Sequence, residues 1–163
     1  MKNLVVYYSL SGNTEVVAQE IAKLIEGDLK RIECIKEPGF VWAALSAILG
    51  IKGKIKPLDF SVEEYDNVFV GGPVWAAKSC TPINTFLDKT DFKNKNVYIF
   101  LTQSDEKTPS TVFDSMKSRI QSDGGNIVDC FFVQTQMKSV ISVDTIKRPI
   151  TDWIDKFKVN LFN

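Results

Sequence analysis

The first part of the chain changes from a strand pattern to a helical pattern across one short polar loop. An apolar run at Leu4–Tyr8 leads into Ser9–Thr14, and apolar residues then recur at helical spacing as far as Ile25. This order of strand, loop and helix is the first half of a β-α-β unit, in which the following strand is parallel to the first. It therefore favours an α/β fold over an all-helical or all-β fold.

The same alternation continues to the end of the chain. Strand patterns lie at Leu4–Tyr8, Leu29–Ile35, Val68–Val70, Val97–Leu101 and Ile127–Val133. Helical patterns lie at Asn13–Glu26, Thr81–Lys89, Pro109–Ser122 and Val143–Phe157. We therefore expect a single domain over residues 1–163, built on a doubly wound five-stranded parallel sheet in the order 2-1-3-4-5 with helices on both faces.

The composition limits the partners and the compartment. The chain has 20 Lys and Arg against 20 Asp and Glu, and these charges are scattered, so we expect no nucleic-acid partner. No apolar stretch is long enough to span a bilayer, and no signal-peptide pattern precedes the first strand. The expectation is a cytoplasmic protein without a membrane partner, as a monomer or a weak dimer.

The residue types exclude several kinds of catalysis. The chain has no histidine, and its three cysteines form no Cys-x-x-Cys pair. The lack of histidine excludes His-based acid–base catalysis, Ser-His and Cys-His nucleophiles and imidazole metal ligands, and we expect no catalytic residue and no metal site. Difficult chemistry would need a cofactor to supply it.

The loop after the first strand has the composition of a phosphate site. Ser9, Ser11, Asn13 and Thr14 surround Gly12 just before a helix, whose first backbone N–H groups and dipole favour an anion. The loop has no Lys or Arg, so neutral donors would hold the phosphate. The alternative is that one side chain caps the helix and the glycine only forms the turn. The P-loop and the dinucleotide fingerprint are both absent from the sequence.

Two further loops should meet this one. In a doubly wound sheet the ligand lies at the carboxyl ends of the strands, near the switch between the first and third. Gly71–Lys78 follows the third predicted strand and Thr102–Asp105 follows the fourth. Trp75 in the first of these is suited to lining a flat aromatic ligand, although packing over the sheet edge is the alternative.

One segment exceeds the minimal five-stranded unit. Lys36–Pro57 contains one short amphipathic helix near residues 40–49, bounded by glycines and a proline. We expect the helix to close one edge of the sheet. The alternative is a lid or partner surface beside the ligand, with Trp42 exposed.

Two motifs make the chain resemble the flavodoxin-like family. The first, Tyr8-Ser9-Leu10-Ser11-Gly12-Asn13-Thr14, is similar to the family's phosphate loop. The second is Gly71-Gly72-Pro73-Val74-Trp75, together with the helix sequence from Pro82 to Leu87. The resemblance covers nearly the whole chain and implies the short-chain, FMN-binding bacterial type.

The resemblance assigns roles to twelve residues. It implies that the FMN phosphate is held by Ser9, Ser11, Gly12, Asn13 and Thr14. It implies that the isoalloxazine ring is lined by Pro73, Val74, Trp75 and Ala76. It implies that the pyrimidine edge of the ring meets backbone groups of Thr102, Gln103 and Ser104.

The sequence departs from the family pattern in three places. The third loop has neither glycine nor an aromatic residue, and the net charge is zero, whereas dedicated flavodoxins are acidic. Trp75-Ala76-Ala77 also replaces the glycine that the family often places beside the flavin N5. Because a non-glycine residue resists positive φ, we expect two-electron reduction to be favoured over one-electron reduction.

Three functions follow from these features. The first is an FMN-binding electron-transfer protein whose partners are redox proteins or small-molecule electron donors and acceptors. The second is an FMN-dependent reductase that uses NAD(P)H or a quinone. The third is a binding module that has the flavodoxin fold without the flavin.

Overall fold

A computed structural model describes residues 1–136 and 139–162. The strands are β1 (Asn3–Tyr7), β2 (Asp28–Arg31), β3 (Asn67–Trp75), β4 (Lys78–Ser79), β5 (Asn96–Gln103) and β6 (Asn126–Gln134). The helices are α1 (Asn13–Leu24), α2 (Phe40–Ile48), α3 (Thr81–Leu87), α4 (Ser110–Ser122), α5 (Val143–Asp155) and α6 (Lys158–Phe162). No helix among these described residues is both long enough and apolar enough to cross a bilayer.

The sheet has the predicted topology. Its parallel strands follow the order β2-β1-β3-β5-β6, and the short β4 adds to β3 in the antiparallel direction. Val6 of β1 lies opposite Val70 of β3, which lies opposite Ile99 of β5. The expected order 2-1-3-4-5 is confirmed, because β4 changes only the numbering of the later strands.

The apolar strands separate two cores, one on each face of the sheet. Successive side chains of a strand point to opposite faces. Leu4 and Val6 therefore join the core covered by α2, α3 and α4, whereas Val5 and Tyr7 join the core covered by α1 and α5. This two-sided burial explains the continuous apolar run inside β1, β3 and β5, each of which begins with an asparagine.

The third strand is longer than the sequence predicts. The apolar pattern ends at Val70, but β3 continues through both glycines to Trp75. A Cβ on Gly71 would lie 2.1 Å from Cε2 of Phe100, and one on Gly72 would lie 2.7 Å from Cγ1 of Ile83. The two glycines, predicted to begin a loop, are strand residues that let neighbouring side chains approach the backbone.

Other elements also differ from the predicted bounds at their ends. The pattern at Leu29–Ile35 predicts a strand, but β2 ends at Arg31 and forms an exposed edge of the sheet. The single last helix predicted over Val143–Phe157 ends at Asp155, and α6 follows it. Pattern alone places such ends poorly, because the last hydrogen bonds depend on neighbouring segments.

The inserted helix α2 buries its small residues. Ala43, Ser46 and Ala47 face the protein, whereas the large apolar side chains are exposed, including Trp42 at 54%. Its main contacts are with α3, β3 and β4, not with the edge strands. The expectation that it closes a sheet edge is wrong, and the alternative of a surface with Trp42 exposed agrees with the structure.

Candidate functional site

The carboxyl ends of β1, β3 and β5 meet around a cavity of about 270 Å³. Nine of the predicted residues line it: Ser11, Asn13, Pro73, Val74, Trp75, Ala76, Thr102, Gln103 and Ser104. Ser9, Gly12 and Thr14 lie in the wall behind this lining and act through the contacts described next. The structure therefore gathers all three predicted loops at one place.

The first turn of α1, beside this cavity, has free backbone donors. Gly12 precedes the helix with φ 92°, a left-handed conformation that favours glycine, and no side chain caps the helix. Among the described residues, no acceptor faces the backbone N–H groups of Asn13, Thr14 and Glu15. Plain capping would have satisfied at least one of them, so the loop has the local structure of an anion site.

Ser9 and Arg31 fix the shape of this loop. The buried Ser9 hydroxyl accepts a hydrogen bond from the Gly12 N–H at 3.1 Å. Arg31, at the end of β2, donates to the Ser9 carbonyl at 3.2 Å and pairs with Glu15 at 3.2 Å. The sequence shows no cation in the loop, so only the parallel pairing of β1 and β2 reveals this arginine.

Thr14 joins the loop before α1 to the carboxyl end of β5. Its hydroxyl lies 2.7 Å from the Thr102 hydroxyl, and both side chains are buried. The pair fixes the start of α1 against the end of β5. The resemblance implies that Thr14 holds the FMN phosphate and that Thr102 meets the ring through its backbone; the structure adds that their side chains bind each other.

Asn13 holds the segment that follows β6. Its Oδ1 accepts from the Ile141 N–H at 2.7 Å, and its Nδ2 donates to the carbonyl oxygens of Gln136 and Ser139 at 3.2 and 3.3 Å. Gln136 and its neighbour Thr135 also line the cavity. The sequence analysis missed them, although the strand-end rule applied after the fifth predicted strand points to both.

Trp75 has two sets of neighbours. Its side chain lines the cavity and also packs edge-on against Tyr8, with the ring centroids 5.6 Å apart. The Tyr8 hydroxyl donates to Glu37 at 2.7 Å. Burial, followed by the hydrogen bond to Glu37, raises the pKa of Tyr8 far above its usual value, so the phenol stays neutral.

A tight turn beside the cavity holds two alanines at positive φ. Trp75 of β3 pairs with Lys78 of β4, so Ala76 and Ala77 form a two-residue hairpin turn with φ of 47° and 58°. Positive φ at both positions is typical of a type I′ turn, which usually has Asn and Gly there. The sequence predicts that non-glycine residues resist this conformation; the structure adopts it with strained alanines.

The third loop is fixed by a side chain instead of glycines. The Gln103 amide donates to the carbonyl oxygens of Asp105, at 3.0 Å, and Lys107. The backbone carbonyl of Gln103 accepts a hydrogen bond from the Thr135 N–H at 2.7 Å. This carbonyl is therefore already engaged, which leaves fewer free backbone groups here than the resemblance implies.

The inserted helix supplies a wall that the sequence did not reveal. Phe40, Ala43 and Ala44 of α2 line the cavity opposite the β3 residues. No motif marks them, because their position depends on how the Lys36–Pro57 segment folds over α3 and β3.

The cavity is electrically neutral. None of its lining residues within the described chain carries an ionisable side chain. Lys78, which follows the Gly71–Trp75 motif in the sequence, is exposed and does not line the cavity. No group of three metal-binding side chains occurs among the described residues. The arrangement suits a flat ligand with a phosphate at the start of α1 and an apolar ring against Phe40 and Trp75.

Comparison with known proteins agrees with this geometry. A family model described as Flavodoxin matches residues 50–154. A flavoprotein from Lactobacillus acidophilus, solved in complex with FMN, is 27% identical with a TM-score of 0.62, over 80% of this chain and 92% of that chain. No curated protein matches.

Two other solved structures are similar in fold. A protein from Bacteroides eggerthii, provisionally described as a flavoprotein, is 21% identical with a TM-score of 0.78, over 95% of this chain and 96% of that one. Oxidised flavodoxin 1 from Bacillus cereus is 18% identical with a TM-score of 0.60, over 97% of this chain and 98% of that one.

Proposed function

Because this chain belongs to the flavodoxin family, we propose that it binds FMN and transfers electrons between redox partners. When bound, FMN supplies the redox chemistry. The protein holds the cofactor, keeps water from part of it and sets its potential. The observation that carries this proposal is the neutral cavity at the uncapped start of α1.

The described residues fit each part of FMN. The free N–H groups of Asn13, Thr14 and Glu15 and the Ser11 hydroxyl suit the phosphate. Phe40 and Trp75 suit the apolar part of the ring system. A neutral donor set is sufficient for a phosphate at a helix start, since the backbone amides carry the interaction.

The neutral lining favours an electron carrier. A reductase that protonates its substrate often holds a titratable group within reach of the reacting atom. None of the described lining residues can donate or accept a proton near neutral pH. Nor does a cation in the lining offset the negative charge of a reduced flavin, so we expect a low potential.

An FMN-dependent reductase using NAD(P)H or a quinone is the second candidate. Its support is the zero net charge of the chain. A chain with zero net charge gives no long-range electrostatic steering toward a basic protein partner. A small electron donor or acceptor reaching the cavity needs no such steering.

Binding of FMN and of riboflavin separates the phosphate contacts from the ring contacts. We expect FMN to remain with the protein through gel filtration and to bind more tightly than riboflavin, which lacks the phosphate. Ser11→Asp places a carboxylate in the phosphate loop and should remove this preference by repulsion. Ser118→Asp, on an exposed position of α4, is the matched control and should leave it unchanged. Equal affinity of the wild type for both ligands would contradict the phosphate assignment.

Turnover then separates the carrier from the reductase. The FMN-loaded protein is mixed with NADH or NADPH, with and without a soluble quinone, and nicotinamide absorbance is followed. If the protein is an electron carrier, it oxidises NADH and NADPH no faster than free FMN does. Rapid oxidation would identify the reductase instead.

A further inference from the structure

An exposed apolar surface surrounds α2. We call residues 35–51 the α2 surface. It contains more than half of the large apolar side chains that the described chain exposes: Ile35, Phe40, Val41, Trp42, Leu45, Ile48, Leu49 and Ile51. Val41 is 84% exposed and Ile48 is 60% exposed. A contiguous patch of this kind marks an interaction site more often than scattered apolar residues do.

Lysines flank the α2 surface. No charged residue occurs between Pro38 and Ile51, whereas Lys36 precedes this stretch and Lys52, Lys54 and Lys56 follow it. Within the described chain, Lys36 and Lys54 have no ion-pair partner. They also line a cavity of about 630 Å³ beneath Trp42 and Ile51.

The nearby carboxylates cancel only part of this charge. Glu33 pairs with Lys56. The Glu37 carboxylate, which accepts a hydrogen bond from the Tyr8 hydroxyl and lines the same cavity, offsets one of the two unpaired lysines. Asp88 pairs with Lys52 and also binds Arg119. The surface therefore presents an apolar centre with unpaired ammonium groups at its edge.

We propose that the α2 surface docks onto an anionic lipid bilayer. Helices that lie in a membrane interface combine Trp, Phe and Leu on one face with Lys and Arg on the other. At the α2 surface the lysines lie in the segments that flank the helix. Lysine stems cover apolar surface while their ammonium groups reach the lipid phosphates. The sequence predicts no membrane partner because no apolar stretch is long enough to span a bilayer. Docking of this type needs no membrane-spanning segment, so the proposal departs from that prediction.

A second copy of the chain fits the surface less well. The nine residues of α2 span only about 13 Å along the helix axis. A stable interface buries about 800 Å² on each partner, which is a large area for so short a helix to supply. A two-fold interface would also bring the same unpaired lysines of both copies together. An anionic bilayer is complementary to both the apolar centre and the lysines.

Docking would place the neighbouring cavity close to the lipid. Phe40, Ala43 and Ala44 on the same helix line the proposed FMN site. If the proposed function holds, a lipid-soluble electron acceptor is the partner that this geometry favours. The docking itself does not depend on FMN.

Vesicle sedimentation tests the docking. Wild-type protein is mixed with phosphatidylcholine vesicles, either pure or with about a third phosphatidylglycerol. We expect sedimentation with the anionic vesicles only, loss of binding at high salt, and a blue shift of Trp42 fluorescence. Trp75 and Trp153 are buried, so the shift reports on Trp42.

Paired variants locate the surface. Val41→Ser with Ile48→Ser should lower the affinity for anionic vesicles by about tenfold or more, since two exposed apolar anchors are lost. Val159→Ser with Phe162→Ser removes comparable exposed apolar residues from α6 and should change nothing. Both pairs are exposed, and far-ultraviolet circular dichroism checks that each variant folds.

Three outcomes would overturn the docking proposal: no binding of the wild type to anionic vesicles, equal loss of binding in both variant pairs, or self-association that the first pair abolishes without any vesicle binding. The last would identify a second copy as the partner. Running each assay with and without FMN keeps failure of docking separate from failure of flavin binding.

Discussion

At the scale of single residues, close packing explains choices that resemble loop chemistry. Gly71 and Gly72 lie within β3, where a Cβ would overlap Phe100 or Ile83. The turn that follows contains alanines where glycine would relieve the backbone. A sequence pattern shows residue type, but it does not show whether the limiting contact is a side chain or the backbone.

Gly71→Ala should lower the free energy of unfolding by about 1–3 kcal/mol, because the methyl group would overlap the buried Phe100 ring. Gly39→Ala is the matched control, since a Cβ there meets nothing within 4 Å and its φ is −68°. Urea melts of both variants measure the difference. Equal stability of the two variants would show that the Phe100 ring moves aside freely.

Ala77→Gly should raise the free energy of unfolding by about 1 kcal/mol, since it relieves a residue held at φ 58°. Ala22→Gly, within α1, is the control and should lower stability by a similar amount, about 1 kcal/mol. Thermal melts distinguish the two signs. A loss of stability in Ala77→Gly would mean that the turn is not strained.

At the scale of elements, short side-chain bridges join the start of α1 to two strands. Thr14 binds Thr102 at the end of β5, and Asn13 binds the segment after β6. Arg31 at the end of β2 holds the same loop from the other side. The proposed phosphate site therefore depends on helix-to-strand contacts that no single segment contains.

Thr14→Val and Thr102→Val should each cost about 1–3 kcal/mol, since each leaves a buried hydroxyl without its partner. The double variant should cost clearly less than the sum, because two valines of similar shape leave no hydroxyl unpaired. Urea melts of all four proteins complete the double-mutant cycle. Simple additivity would show that the two hydroxyls are not coupled.

At the scale of the whole molecule, buried thiols and phenols make the fold sensitive to alkali. Burial raises the pKa of Cys80, which is almost fully buried, and raises the pKa of Cys130 to about 11. Burial also raises the pKa of Tyr98 to about 12. All three groups stay protonated in the folded chain at pH values where the unfolded chain ionises.

The free energy of unfolding should be nearly constant between pH 7 and the ordinary thiol pKa of about 8.5, and should then fall as the pH rises. Above that value the unfolded chain releases protons that the folded chain retains, so unfolding is favoured. The fall should continue toward pH 11, as the folded pKa of Cys130 is approached. Urea melts at stepped pH measure it, and a constant value up to pH 10 would contradict the buried positions of the thiols.

The sequence predicts much of the site, but the tertiary structure decides its contacts. The strand order and the meeting of three loops follow from local periodicity, because parallel strands joined by helices carry their loops to one sheet edge. Arg31 and Phe40 were missed, since their roles depend on segments that are distant in the chain. Thr135 and Gln136 were missed although the strand-end rule points to both.

The amino-acid sequence alone predicts the alternation of strands and helices, the five-stranded parallel order and the hydroxyl-rich loop before α1. These features depend on side-chain period and on residues that are close along the chain. Three other features emerge only in the folded chain: Thr14 binds Thr102, β3 continues through its glycines, and α2 exposes its large apolar side chains. Those outcomes depend on which surfaces remain once distant segments have packed, and periodicity contains no such information.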